Sequence, residues 1–225
     1  MRVLKATGGL CNRLRFVFSH YVLASEQKDE LVVIWPVLDE CPGYFEDYFQ
    51  PVPGITFYRS KPKEYIIGCC SSSQVCIPDY RKLQLQPHMI DIINHNRNQL
   101  QNDYTAVHVR RTDHAGFAKS KNRFTTDEDF INFINENKTK YSGLFIATDN
   151  KESYEYFTLI FNEMNRLNDR GNIFKEEVAS IWTRIRNTSL KDSIIDLYMC
   201  VYANAFKGSG WSSYSVTIEL LRKLR

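Results

Sequence analysis

The chain alternates between short stretches typical of buried strands and longer stretches with apolar residues at helical spacing. In helix 14–25, for example, Leu14, Val17, Phe18, Tyr21 and Val22 share one face. The predicted strands are 3–6, 31–35, 55–58, 65–67, 104–109, 144–147, around 173–174, and 205–207; the predicted helices are 14–25, 127–137, 151–166, 190–203 and 215–224. Strands that alternate with helices favour an α/β fold with parallel sheets covered on both faces.

A polar run separates two halves of the pattern. Residues 94–103 read "NHNRNQLQND", although the first part of this run is also compatible with the end of a helix through 89–93. A chain of 225 residues is long enough for two small lobes. We therefore predict an N-terminal α/β lobe over 1–97 and a C-terminal lobe over 98–225.

Composition narrows the class of protein. Hydrophobic residues make up 43% and charged residues 24%, which is typical of a soluble globular protein. The formal net charge is only +3, which argues against a general nucleic-acid binder, including one that uses Arg110 and Arg111 to bind RNA. Any anion site must therefore be local.

The sequence as given carries no signal peptide and no apolar run long enough to span a membrane, so we expect a cytoplasmic protein with reduced cysteines. A fragment of a longer secretory enzyme would have the same features. His20, His88 and His95 lack the partner spacing of a metal site, and we expect them to pack or to lie at the surface. Residues 44–49, "YFEDYF", suit either core packing or a sugar-binding cleft.

Three polar clusters follow predicted strands of the C-terminal half, at 110–113, 148–150 and 208–213. In parallel α/β sheets, ligands bind beyond the carboxyl ends of the strands, so these clusters are expected to converge. Singly, an arginine pair is often a surface feature and "ATDN" is a plausible helix cap. Together they favour a ligand site.

The chemistry of these clusters suits a nucleoside diphosphate. A guanidinium binds two phosphate oxygens at once, and a Ser/Gly-rich turn that opens a helix offers N–H groups to a second phosphate. A carboxylate such as Asp149 can accept hydrogen bonds from the two donors on the guanine edge. Because strand side chains alternate, Arg110 and His108 should address one ligand, while Arg111 faces the other way and pairs with a carboxylate.

Four segments then resemble the ordered motifs of the GDP-fucose-dependent fucosyltransferase superfamily, which includes α1,2-, α1,6-, protein O- and nodulation fucosyltransferases. They are "GGLCNRLR" (8–15), "HVRRTD" (108–113), "ATDN" (147–150) and "DLYMCVYANAFKGSGWSSYS" (196–215). The resemblance implies two facing Rossmann-like domains, of which the second binds GDP-fucose and the first lies on the acceptor side. It also implies an inverting glycosyltransferase that moves fucose to a glycan hydroxyl without a metal or other cofactor.

The resemblance assigns roles to particular residues. Arg110 matches the arginine that grips the pyrophosphate, and His108 and Asp149 match positions near guanine or its ribose. The remaining donor-binding positions are Gly9, Asn12 and Arg13 in the first motif and Ser212, Ser213 and Ser215 in the last.

The catalytic base is the main departure from the family pattern. Some members carry a glutamate shortly after the aspartate of the arginine motif, whereas residues 114–126 contain no carboxylate. Asp113 and His114 are the nearby candidates, alongside a dissociative mechanism that needs little base assistance. Two alternatives to a fucosyltransferase stay open: a non-catalytic module that binds GDP or a GDP-sugar, and a transferase that uses another GDP-sugar. Asp127 and Asp129 have the spacing of a metal-binding pair, but they begin a predicted helix, where acidic residues favour the helix dipole.

Overall fold

A computed structural model describes residues 1–60, 69–70, 76–112, 115–167 and 189–225, with the backbone alone described at 69–70. The chain divides into two compact units, Met1–Ile90 with Leu224 and Asp91–Lys223 with Arg225. The division falls inside a helix, Pro87–Gln99, so the first part of the polar run is helical. The functional roles given to the two lobes stay predictions.

The first unit contains one parallel sheet. Its elements in chain order are β1 (Arg2–Lys5), α1 (Leu10–Glu26), β2 (Leu31–Ile34), a 3-10 turn (Phe45–Asp47), β3 (Ile55–Tyr58) and β4 (Cys69–Cys70), followed by α2 (Pro87–Gln99). The strand order is β3-β2-β1-β4. Every residue of β2 is buried, as expected for a central strand of a sheet covered on both faces.

The aromatic segment 44–49 belongs to the core of this unit. Phe45 and Phe49 are buried, and Phe45 stacks on Phe57 with ring centroids 3.9 Å apart. Trp35 packs edge-on against Phe45 at 5.5 Å. Of the two interpretations of this segment, core packing therefore describes both phenylalanines.

The second unit contains a smaller parallel sheet. Its elements are β5 (Tyr104–Val109), α3 (Ala115–Ser120), α4 (Asp127–Asn137), β6 (Gly143–Thr148), α5 (Lys151–Ile160), α6 (Leu190–Tyr202), β7 (Ala205–Gly208) and α7 (Ser213–Arg222). The order is β6-β5-β7, and the register sets His108 beside Ala147 on one side and Gly208 on the other. The carboxyl ends of these three strands consequently lie side by side.

Buried apolar side chains hold this sheet against its helices, and side-chain caps define where the helices begin. All residues of β5 and β6 are buried, and Phe130 and Ile134 of α4 pack with Phe157 of α5 in the same core cluster. Side-chain caps fix where α4, α5, α6 and α7 begin, through Thr126, Asn150, Ser189 and Ser212 respectively.

The predicted α/β class with parallel sheets is confirmed. Strands β3 and β5 and helix α4 have the predicted bounds, whereas α5 ends at Ile160 instead of 166 and the short helix α3 was not predicted. The predicted strands at 65–67 and 173–174 lie outside the described residues. Across the described residues, each helix is too short or too polar to cross a bilayer.

Candidate functional site

The hydroxyl of Ser209 joins the ends of β5 and β7. It accepts a hydrogen bond from the backbone N–H of Arg110 at 2.9 Å and donates one to the carbonyl of His108 at 2.9 Å. Ser209 is buried and directly follows β7. The backbone on which the Arg110 side chain stands is therefore held by a neighbouring strand end.

The carboxylate of Asp149 joins the ends of β6 and β5. Its Oδ1 accepts the backbone N–H of Arg111 at 3.0 Å, and its Oδ2 accepts the hydroxyl of Thr112 at 2.6 Å. The Nε of Arg110 lies 3.8 Å from the same Oδ2. Asp149 thus holds the turn that carries both arginines, and it also places negative charge next to Arg110.

The prediction that the segment "ATDN" caps the following helix is confirmed, although the capping residue is Asn150 and not Asp149. The N-cap of α5 is Asn150, whose side-chain oxygen accepts the backbone N–H of Ser153 at 2.7 Å. Asp149 is one residue too early for that contact, and its oxygens instead meet Arg111 and Thr112. A role in reading guanine stays a prediction.

Arg111 and Arg110 contact different carboxylates, Asp127 and Asp149 respectively. The Arg111 guanidinium donates to Asp127 at the start of α4 and lies over the rings of Phe124 and Phe130, at 4.7 and 5.5 Å from their centroids. The expected pairing of Arg111 with a carboxylate is confirmed. This contact ties the arginine turn to α4.

The acidic pair at the start of α4 is engaged within the protein. Asp129 accepts the backbone N–H of Thr126 at 2.7 Å and forms a capping box with it. Hydrogen bonds from Thr126 lower the pKa of the Asp129 carboxyl. Since Asp127 binds Arg111, both carboxylates serve the helix start and its neighbours.

His108, near the end of β5, contacts helix α7. Its Nδ1 is 2.8 Å from the hydroxyl of Ser215, and its ring lies 4.7 Å from the ring of Tyr214 at an angle of 31°. Both His108 and Ser215 are buried. Their hydrogen bond links β5 to the first turn of α7.

The serines at the start of α7 divide into two kinds. Ser212 is buried and caps the helix by accepting the N–H of Ser215, whereas Ser213 is partly exposed. Ser213 therefore has the accessible hydroxyl among the three serines predicted to bind phosphate. The first-turn N–H groups of a helix of this length add partial positive charge at the same place.

Three predicted donor-binding residues lie in the first unit: Gly9 in the turn before α1, and Asn12 and Arg13 in the first turn of that helix. Gly8 adopts φ +82°, which favours glycine, and Gly9 precedes the first residue of α1. The Arg13 side chain is fully buried and donates to the carbonyls of Gly8 at 2.7 Å and Pro36 at 2.6 Å. Burial lowers the pKa of the Arg13 guanidinium.

Arg13 thereby ties the turn after β1 to the segment after β2, and it lies 5.1 Å from the ring of Trp35. This structural role is separate from a donor contact. The contacts of Gly9, Asn12 and Arg13 with a donor stay predictions.

The two proposed base candidates, Asp113 and His114, lie outside the described residues. Thr112 and Ser209, which the sequence placed in the polar clusters without giving either a role of its own, belong to the described site through their hydroxyls. Each of the two occurs within three residues of a strand end, and this position was the feature of the sequence that could have marked them as site residues. Within the described ranges, no group of three or more His, Cys, Asp or Glu side chains is arranged to hold a metal ion.

Comparison with protein-family models and with curated proteins gives no match. Among solved structures, the chain is similar to NodZ α-1,6-fucosyltransferase soaked with GDP-fucose, with 13% identity, a TM-score of 0.62, and coverage of 98% of this chain and 92% of that one. Fucosyltransferase NodZ from Bradyrhizobium gives 12% identity and 0.62, with the same coverage. POFUT1 in complex with GDP gives 10% identity and 0.64, covering 99% of this chain and 95% of that one. The structural neighbours are thus fucosyltransferases, and at these identities the likeness concerns the fold.

Proposed function

We propose that this protein is an inverting, metal-independent glycosyltransferase that moves fucose from GDP-fucose to a hydroxyl of a glycan. The observation that carries the proposal is the hydrogen-bonded junction of three parallel strand ends, in which Ser209 and Asp149 hold the turn that bears Arg110. A ligand site at the carboxyl edge of a parallel sheet is the general arrangement for nucleotides in α/β folds.

Arg110 has the properties needed to stabilise a departing diphosphate. Its planar guanidinium can bind two phosphate oxygens at once, and its side chain retains 18% exposure, enough to reach a ligand. Negative charge grows on the diphosphate as the sugar–oxygen bond breaks, so a fixed cation lowers the barrier. Ser213 and the first turn of α7 supply further donors for the phosphates.

The fold neighbours support the choice of donor. Their structures include one soaked with GDP-fucose and others with GDP, and each is a fucosyltransferase. Applied to this chain, that donor class fits the arginine and helix-terminus chemistry described above. Asp113 and His114 remain the candidates for the base that deprotonates the acceptor hydroxyl.

A second candidate is a module that binds GDP or a GDP-sugar without transferring it, or a transferase with another GDP-sugar. Residues 114–126 contain no carboxylate that could serve as the catalytic base, and this supports the non-catalytic module. Slow hydrolysis of GDP-fucose distinguishes a transferase from a non-catalytic module. It requires a competent donor site, and it can be measured without knowing the acceptor.

The test combines binding with turnover. Thermal unfolding is measured with GDP, UDP, ADP, GDP-fucose and GDP-mannose, where a ligand at a hundred times its Kd should add about 2.7 kcal/mol of stability. Free fucose released from GDP-fucose is then quantified. We expect the guanine nucleotides to stabilise the protein and fucose to be released; preferential stabilisation by UDP would contradict the proposal, and binding without release would favour the non-catalytic module.

A further inference from the structure

A short segment, 123–127, contacts both parts of the proposed phosphate site. It lies between α3 and the start of α4. Its last residue, Asp127, accepts a hydrogen bond from the guanidinium of Arg111, in the turn after β5 that carries both arginines. Its middle residue, Thr125, accepts the backbone N–H of Gly210 at 2.8 Å, two residues before the N-cap of α7. The segment therefore connects the arginine turn to the loop from which α7 begins.

The contact between this segment and the loop after β7 is close. A Cβ on Gly210 would lie 1.9 Å from the carbonyl oxygen of Arg123, so the two backbones leave no room for a side chain at position 210. The hydroxyl of Thr125 also donates a long hydrogen bond, of 3.5 Å, to the carbonyl of Gly208 at the end of β7. One hydroxyl thus accepts from one residue of the loop and donates to another.

The loop is also held through its own Ser209, whose hydroxyl bonds to the backbone of Arg110 and His108. Contacts with β5 and with segment 123–127 consequently fix residues 208–210. Trp211, the next residue, has φ +59°, which a bulky residue adopts only where its surroundings enforce it. The position at which α7 begins is therefore set by these contacts and not by the loop alone.

A diphosphate must be met by its binding groups at a fixed spacing. In the proposed site, Arg110 approaches the phosphates from the turn after β5, and the first turn of α7 approaches them from the end of the loop. Groups that stabilise developing negative charge are effective when their positions are fixed before the reaction. Segment 123–127 contacts both supports, so it bears on the distance between them.

We propose that Thr125 is a positioning residue that fixes the spacing between Arg110 and the first turn of α7, and so matches the site to a diphosphate. This inference rests on the proposed function and deepens it, because Thr125 acts through the loop and not by touching the donor. GMP has a single phosphate, which either support can bind alone, whereas the diphosphate of GDP spans both. Thr125 should therefore contribute to the preference for GDP over GMP.

The test is isothermal titration of the full chain with GDP and with GMP, with Tm as the check on folding. Thr125→Val removes the hydroxyl and keeps the shape of the side chain, and Thr125→Ser restores the hydroxyl. Gly210→Ala pushes the loop away from Arg123 by a second route. Thr126→Val is the matched control, because it removes the neighbouring hydroxyl, which caps α4.

We expect the wild type to bind GDP more tightly than GMP. Thr125→Val and Gly210→Ala should weaken GDP binding by about fivefold or more and leave GMP binding nearly unchanged. Thr125→Ser should keep the wild-type ratio of the two affinities. Thr126→Val should keep that ratio as well, with a lower Tm.

A wild-type ratio in Thr125→Val would overturn the inference, and an equal loss of GDP and GMP affinity would do so by giving Thr125 a purely structural role. A lowered ratio in Thr125→Ser or in Thr126→Val would overturn it too, since the Thr125 hydroxyl would then not be the cause. Equal binding of GDP and GMP by the wild type would overturn it while leaving the guanine-nucleotide site in place. Failure of the proposed function is recognised separately, because the wild type would then bind neither guanine nucleotide or would favour UDP.

Discussion

Asp149 accepts the hydroxyl hydrogen bond of Thr112 at 2.6 Å, and this contact joins the end of β6 to the turn after β5. The same carboxylate accepts the backbone N–H of Arg111. With one acceptor oxygen directed at each donor, the carboxylate acts first as a brace for the turn. The position of the Arg110 guanidinium therefore depends on a residue of a neighbouring strand.

Asp149→Asn should weaken the hydrogen bonds that hold the turn after β5. The substitution converts one acceptor oxygen into a donor, leaving either the Arg111 N–H or the Thr112 hydroxyl without its acceptor, at a cost of about 1–3 kcal/mol in the free energy of unfolding. We expect GDP affinity to fall, because the turn that carries Arg110 loosens. Thr112→Val, which removes the hydroxyl alone, should act in the same direction. Isothermal titration with GDP checks this: an equal loss in both variants would assign the effect to the turn alone, whereas a larger loss in Asp149→Asn would support the predicted contact of Asp149 with guanine.

Arg110→Lys should reduce transfer while leaving the fold intact. Lysine keeps the charge but loses the planar pair of donors, so kcat/KM should fall by at least about a hundredfold, or about 2.7 kcal/mol of transition-state stabilisation. Rates of fucose release and transfer, with Tm as the check on folding, measure the effect. Near-normal turnover would mean that Arg110 does not stabilise the leaving diphosphate.

Arg111→Lys should have the opposite profile. The Arg111 guanidinium pairs with Asp127 and lies over Phe124 and Phe130, so its loss should cost about 1 kcal/mol of stability with little effect on kcat/KM. Asp127→Asn is the companion variant and should lower Tm similarly. A large loss of activity in Arg111→Lys without a change in Tm would contradict the division of labour between the two arginines.

The pairing of Arg111 with a carboxylate could be predicted because a strand has a side-chain period of two residues, which separates Arg111 from the His108 and Arg110 positions. Strand β5 was also predicted residue for residue, since its buried, β-branched sequence gives a clear signal. Helix α5 was predicted too long for a physical reason: Phe161 and Met164 continue a helical apolar spacing, but they reach the core after the helix has ended. Residues 161–163 form a turn, and Asn165 pairs with Gly143 in an isolated parallel bridge.

The hydrogen bonds that Ser209 and Asp149 make to the turn after β5 could not be predicted in the same way. Ser209 bonds to residues about a hundred positions away along the chain, and short local patterns carry no information on such pairs. The sequence located the three clusters and their order. Which hydroxyl would accept which N–H depended on the register of β5 with β6 and β7, which only the folded sheet defines.

Chelation should leave GDP binding unchanged. In the proposed site, Arg110 and the start of α7 supply the positive charge for the phosphates, while Asp127 and Asp129 are engaged with Arg111 and Thr126. The GDP-induced rise in Tm and the release of fucose should both persist in excess EDTA. Loss of both on chelation, with recovery on adding manganese, would require a metal-dependent mechanism.

The last prediction concerns His20, on α1, and the pH dependence of stability. His20 is only 7% exposed, and the ring of Phe16 packs edge-on against it. Among the residues that the structure describes, neither ring nitrogen of His20 has a hydrogen-bond partner. Burial, aided by the charge of Arg2, lowers the pKa of His20 below its ordinary value of 6.5. The unfolded chain therefore binds a proton on His20 more readily than the folded chain does. The free energy of unfolding is accordingly at its full value above about pH 6.5, and it falls as the pH falls toward the lowered pKa of His20 in the folded state.

His20→Leu should remove that dependence, whereas His88→Leu, at an exposed position of α2, should keep it. Urea unfolding at about pH 5 and about pH 7.5 measures the difference: the wild type and His88→Leu should lose more stability on acidification than His20→Leu, and equal losses in all three would show that His20 is protonated in the folded protein without penalty.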